Sequence, residues 1–292
     1  PVDKRQKKLD DDLARFPYVN GDLFHERLLV PAFDARMRAR LIEACEFSWD
    51  AISPAIFGSL FQSVMNRLER RAQGAHYTTE KNILKVIEPL FLDDLRAEFV
   101  RLRSRKSGRE AALRAFHLRL GELRFFDPAC GCGNFLIIAY RELRTLELEL
   151  LRELYPDKQL ELDVTNLSRI NVDQFYGIEL GEFPARIAEV ALWMMDHIMN
   201  NQLSLEFGEV YARIPLVASP HIQHGDALET DWATVLPPDH CTHVFGNPPF
   251  VGTKYQNPEQ RAQVRRIAQP GGSGGTLDYV AAWFLKAGEY VQ

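Results

Sequence analysis

The chain has 292 residues, 46% hydrophobic and 26% charged, the balance of a globular protein with a sizeable core, which excludes wholesale disorder, collagen-like repeats and a disulfide-dense mini-protein. Its 35 basic and 40 acidic residues leave a net charge of −5, excluding a histone-like coat but not a local basic groove. Four cysteines without framework spacing suggest a reducing compartment. No apolar run approaches the roughly 20 residues that cross a bilayer, and no basic-then-apolar signal opens the chain, so a cytoplasmic protein is expected. The first residue is Pro1, which predicts a start inside a longer reading frame.

The first ninety or so residues read as helices. Ser53-Pro54 supplies an N-cap followed by a proline at the first helical position. Ile56, Phe57, Leu60, Phe61, Val64, Met65 and Leu68 then mark one apolar face, and Gly74 ends it. A second helix is predicted from Thr79, with Ile83, Leu84, Val86, Ile87 and Leu90 turned inward. Arg101, Arg103, Arg105, Lys106, Arg109, Arg114 and Arg119 form a basic stretch that is either a solvated face or a surface for DNA phosphates. The pattern divides the chain into a helical region over 1–95, a basic link over 96–122 and an α/β core over 123–292.

In that core, short apolar runs alternate with helices. Strands are predicted at Leu123 to Phe126, Phe175 to Ile178, His221 to Gly225 and Thr242 to Phe245, with a long helix ending at Tyr155 and another over about Pro184 to Asn200. Such alternation implies a parallel, doubly wound, Rossmann-like sheet. Gln269 to Gly275 reads as a flexible loop.

The unusual residues fall at the carboxyl ends of these strands, where ligands of such sheets bind. Gly131 and Gly133 let the backbone pass close beneath a ligand. Leu136 stands where a dinucleotide fingerprint wants its third glycine, which disfavours NAD, and no Gly-Lys-Ser/Thr phosphate loop follows. Glu179 can accept both ribose hydroxyls or cap a helix, and Asp226 can accept an adenine amino group. Asn247-Pro248-Pro249-Phe250 is the most informative element. Two prolines remove two N–H donors and leave carbonyls as acceptors. With the Asn247 side chain they can grip an exocyclic –NH₂, and Phe250 offers a face for a base to stack on. Cys130, Cys132, His221, His224, Cys241 and His243 are not read as a metal site.

Asp-Pro-Ala-Cys-Gly-Cys-Gly-Asn-Phe, Gly-Ile-Glu-Leu, Gly-Asp-Ala-Leu and Asn-Pro-Pro-Phe, in that order, resemble the amino-methylating class I S-adenosylmethionine-dependent DNA methyltransferases. The stretch from Ser53 through Phe99 is similar, more specifically, to the MmeI-like type IIL restriction–modification enzymes. The resemblance implies a helical connector carrying an N-terminal cofactor segment at 74–79, then the methyltransferase core. It assigns Tyr77, Thr78, Asp127, Ala129, Gly131, Gly133, Asn134, Phe135, Glu179, Leu180, Asp226, Ala227 and Asn247 to S-adenosylmethionine. Within that set, Glu179 would hold the ribose, and Asp226 and Ala227 the adenine. Asn247, Pro248, Pro249 and Phe250 are assigned to the target base, with no metal. Cys132 departs from the family, which usually has serine there.

The resemblance implies methylation of adenine N6 in double-stranded DNA. Cytosine N4, an RNA base or a protein glutamine are alternative acceptors, and a non-catalytic cofactor- or DNA-binding module is an alternative of another class. The family's later strands and target-recognition domain lie outside this chain, so an open edge at the fourth strand, self-association and little methyl transfer by the chain alone are expected.

Overall fold

Phe125 and Phe126 are neighbours in sequence and point to opposite faces of one strand, and both are fully buried. A strand that is apolar on both faces has to be covered on both, and helices form the two covers. The computed structural model describes residues 32–47, 55–56, 58–59, 78–156, 167–207, 219–268 and 277–292. Most of the helix predicted from Ser53, Tyr77 and the 269–275 loop lie outside them. From the stripe predicted on that helix only Ile56 is described, and it is exposed.

Helix α1 (Ala35–Glu46) is capped by Asp34, whose side chain accepts from the Met37 N–H. Helix α2 (Glu80–Ile87) passes through a π-helical turn at Glu88–Leu92 into α3 (Asp93–Arg103). Pro89 lies in that turn, where its missing N–H breaks the α pattern. The inward stripe is Ile83, Ile87, Phe91, Leu92, Leu95, Phe99 and Leu102, while Val86 and Leu90 are exposed, against expectation. These two sit on the flank of the stripe set by Ile83 and Ile87 at i, i+4 spacing. After α4 (Arg109–Leu120) come β1 (Phe125–Asp127), α5 (Asn134–Leu154), β2 (Phe175–Glu179) and α6 (Glu182–Phe207). Then follow β3 (His221–His224), β4 (His243–Val244), α7 (Pro258–Ile267) and α8 (Ala281–Tyr290).

All strand pairs are parallel and the order is β3-β2-β1-β4. Each predicted strand is present within two residues of its expected bounds, and the α/β doubly wound reading holds. The chain steps outward from β1 to β3, then returns to pair β4 on the other side of β1. The loops leaving β1 and β4 therefore diverge, opening the crevice where such folds bind ligands. On one face, Phe125 stacks on Phe175 and His243, each at 5.2 Å, beneath α2 to α6. On the other, Phe126 meets Trp232 edge-on at 5.3 Å, packed with residues of α7 and α8. No helix among the described residues is long and apolar enough to cross a membrane.

A buried ionic network ties α4, α5 and α6 together. Arg144 donates to the Tyr140 hydroxyl at 2.6 Å and to Asn200 Oδ1 at 2.7 Å, and it pairs with Asp196 at 3.2 Å and Glu147 at 3.3 Å. Glu147 also accepts from Ser168 Oγ at 2.6 Å and bonds His117 Nε2 at 2.8 Å. Removing the cation would strand two buried carboxylates. Arg144→Ala is therefore expected to destabilise the chain by about 3–5 kcal/mol in denaturant titration; a loss under about 1 kcal/mol, the level of an exposed pair, would show that the network carries little.

Candidate active site

β1 ends in Asp127, a fully buried carboxylate. Its Oδ1 accepts the Ala129 N–H at 3.0 Å, while Oδ2 is buried with no partner. Burial, with the nearby Glu179 charge, pushes Asp127 up to about 7 against the bond from Ala129. The following loop turns through Gly131 (φ 57°) and Gly133 (φ 81°), both left-handed. A side chain on Gly133 would meet Ala188 at 2.9 Å, whereas one on Gly131 would point into open space. Gly131 is thus the bare backbone on the loop's outer side. The loop is tied to β2 by the Cys130 N–H on the Ile178 carbonyl at 3.1 Å. Burial pushes the Cys132 thiol up to about 12 and also raises Cys130, so both remain protonated packing groups. Asn134 opens α5 with a buried, unpartnered Oδ1. Phe135 points into the core against Phe245, at 5.9 Å between ring centres.

Glu179 closes the neighbouring strand end. Its Oε2 accepts the Gly131 N–H at 3.0 Å and its Oε1 the Gly181 N–H at 2.8 Å. Burial raises it above the ordinary carboxylate value, and those N–H groups oppose the rise. Each oxygen keeps a second lone pair. Leu180 beside it is exposed. Past β3, Asp226 Oδ1 accepts the Leu228 N–H at 2.8 Å and Oδ2 accepts Gln263 Nε2 at 2.6 Å. Ala227 is buried, and its carbonyl accepts from Trp232 Nε1 at 2.8 Å and Lys286 Nζ at 2.7 Å.

At the end of β4 the chain turns at Gly246 (φ 148°), where a side chain would collide with the Asp127 carboxylate. Asn247 follows, and its Nδ2 donates to Thr78 Oγ1 at 3.0 Å. Pro248 and Pro249 are half-buried and Phe250 is exposed. Behind them the loop is anchored by the Val251 N–H on Asp278 Oδ1, the Tyr279 N–H on the Val251 carbonyl, both at 3.1 Å, and Gln256 Nε2 on that same carbonyl at 3.0 Å.

These contacts form one rim. Asn247 adjoins Gly246, which lies on Asp127; Asp127 reaches Ala129, and two residues on Gly131 reaches Glu179. The ends of β1, β2 and β4 therefore lie on one rim, with Thr78 joined from the helical region. Several residues that complete the site carry no motif: Gln263 and Lys286 on the Asp226–Ala227 loop, Asp278 behind Phe250, and Trp283, whose Nε1 donates to the Pro128 carbonyl at 3.1 Å. Long-range side-chain to backbone bonds of this kind leave no periodic signal in sequence.

The DNA-methyltransferase domain family of MmeI matches residues 103–292, and the chain belongs to that family. It is 39% identical over 282 residues to DNA methyltransferase A of Bacillus subtilis (strain 168), covering 95% of this chain and 31% of that one. The solved type IIL restriction–modification enzyme MmeI in complex with DNA superposes with a TM-score of 0.90 at 53% identity, over 99% of this chain and 38% of that one. The chain thus spans about a third of the length of these relatives.

The buried acid gives a testable pH dependence. Asp127 stands at about 7 against an ordinary value of 3.8, so its folded form prefers the proton. Its contribution to stability is present at low pH and lost as the pH rises through about 7. Asp127→Asn is expected to raise the melting temperature of the ligand-free chain at pH 8 and to flatten its fall between about pH 4 and 7; equal destabilisation at both ends of that window would contradict this.

Proposed function

We propose that the longer protein to which this domain belongs transfers a methyl group from S-adenosylmethionine to the N6 amine of adenine in double-stranded DNA, as part of a restriction–modification enzyme. The observation that carries the reading is the Asn247–Thr78 hydrogen bond at the divergence of β1 and β4. The amide spends its donor end on Thr78, which leaves Oδ1 as an acceptor beside two prolines that have no N–H. That combination suits an amine with two protons to donate.

The described residues fit the cofactor. The orphaned Asp127 Oδ2 suits an ammonium group, and the bare Gly131 backbone admits close approach. The free lone pairs of Glu179 suit ribose hydroxyls, and those of Asp226 an adenine amino group. Ala129, Asn134, Leu180 and Ala227 border this path. Tyr77, beside Thr78, is assigned on resemblance alone, and Phe135 supports the loop from within the core. When bound, S-adenosylmethionine supplies an electrophilic methyl on a sulfonium.

The chain's own task is to present the amine. Asn247 Oδ1 and the Pro248 carbonyl each accept one of its protons, which favours a pyramidal nitrogen with an available lone pair. Phe250 offers its exposed ring to the extruded base. Positioning and fixed acceptors lower the barrier, and no strong base is required.

In the longer protein, Asn247→Ala is expected to lower methyl transfer by about 10²–10³-fold, with S-adenosylmethionine affinity by isothermal titration changed only a few-fold. Unimpaired methylation by that variant would overturn the reading, and N4-methylcytosine in the product DNA would overturn its adenine part. Thr78→Val should reduce the turnover number about tenfold, while Thr78→Ser should restore it because the hydroxyl returns; equal loss in both would remove the hydroxyl from the account.

A further inference from the structure

The basic stretch that sequence leaves open between a solvated face and a surface for DNA phosphates is mostly paired with acids of the same protein. Arg101 and Arg119 pair with Glu98, Arg103 and Arg109 with Glu153, and Arg114 with Glu110. Arg105 and Lys106, in the turn between α3 and α4, have no such pair among the described residues. That turn lies far from the site. Glu153 sits at the last turn of α5, whose first residue, Asn134, borders the cofactor loop; at 1.5 Å per residue the 21 residues of α5 separate the two ends by about 30 Å.

Beside the Asn-Pro-Pro-Phe loop the balance is different. Lys254, Arg261 and Arg265 are exposed and pair with no carboxylate among the described residues. Arg261 and Arg265 stand one turn apart on α7, and Arg261 also donates to the Thr253 carbonyl at 3.3 Å, which binds the helix to the loop. The nearby acids are largely occupied. Glu229 is taken by Arg266 and Gln263, and Asp278 by the N–H groups of Val251 and Val280. Glu259, in the first turn of α7, is an exposed acid with no ion pair among the described residues. Two exposed rings, Phe250 and Tyr255, project from the same loop. α7 itself is rigidly placed, with a capping box at Asn257 and Gln260 and a fully buried Val264.

We propose that Lys254, Arg261 and Arg265 are the surface on which the DNA phosphodiester backbone lies next to the extruded base. This rests on the methyltransferase reading and adds to it which residues hold the strand. Cations flanked by exposed aromatic rings, on a loop fixed at both ends, match a polyanion with an unstacked base beside it.

The test is fluorescence anisotropy of the 292-residue chain with a labelled random-sequence duplex over a KCl series. Lys254→Gln, Arg261→Gln and Arg265→Gln should each lower the slope of log Kd against log salt by about 0.9. Arg261→Lys and Arg265→Lys should hold it, because charge and not fork geometry reads phosphate here. Arg105→Gln with Lys106→Gln should leave it unchanged, and S-adenosylmethionine binding should be unaffected in all of them. A slope that follows Arg105 and Lys106, a slope indifferent to all five residues, no duplex binding by the chain, or equal affinity for polyglutamate would each overturn the proposal. Loss of methylation by Asn247→Ala alongside intact binding by the α7 variants would sink this surface and spare the methyltransferase reading. DNA binding with the expected slopes but no methylation by the longer protein would do the reverse.

Discussion

The architecture of the site rests on one buried carboxylate. Asp127 lies where the outgoing loops of β1 and β4 part, and a single acid there touches both, through Ala129 on one side and Gly246 on the other. An apolar residue at this position would satisfy the core but release the Ala129 N–H. A bulkier residue at Gly246 would drive the two loops apart. The unpaired oxygen raises the free energy of the fold, and a cation brought against it would lower it. Burial with incomplete satisfaction sets this position apart from the packing residues around it, and it is one ground for giving Asp127 to the cofactor in the proposed reading.

Much of this was legible in the sequence, for identifiable reasons. β1 and β2 announce themselves as short apolar runs, whereas the polar β3 is marked chiefly by its end; each strand runs out into a glycine, an acid or the Asn-Pro-Pro-Phe turn, and the chemistry of those ends needs particular residue types. Glu179 and Asn247 could be placed on one rim because parallel strands put all their carboxyl ends on one side. Periodicity failed at Val86 and Leu90, where a π-helical turn at Pro89 follows a stripe with i, i+4 spacing. It could not find Gln263, Lys286 or Asp278, whose partners lie 20 to 60 positions away and whose roles depend on tertiary contact alone.

Charge was the least transparent property. A run of arginines suggests a polyanion site, yet here the helix faces supply Glu98, Glu110 and Glu153 opposite them, and rings as well. Arg103 and Arg119 lie over Phe99 and Phe116 at 5.7 and 5.3 Å. The run stitches α3, α4 and α5 into the layer under the sheet, and α4 and α5 also carry part of the Arg144 network. Density of one sign along the chain says little until the opposing face is known, since acids recruited from distant positions cancel it.

β4 contributes only His243 and Val244 to the sheet, with the Phe245 N–H closing the last rung on the Phe126 carbonyl at 3.0 Å. Beyond that rung the backbone that carries Asn247 has no neighbouring strand among the described residues to lean on, and two of its next residues have no amide proton at all. Its rigidity is borrowed from three moorings far apart in sequence: Asp127 below, Thr78 across the cleft and Asp278 behind. A loop suspended this way can slacken without any part of the sheet melting, so loss of a distant mooring would surface first as motion of the Asn247 turn, with the bulk of the fold unmoved.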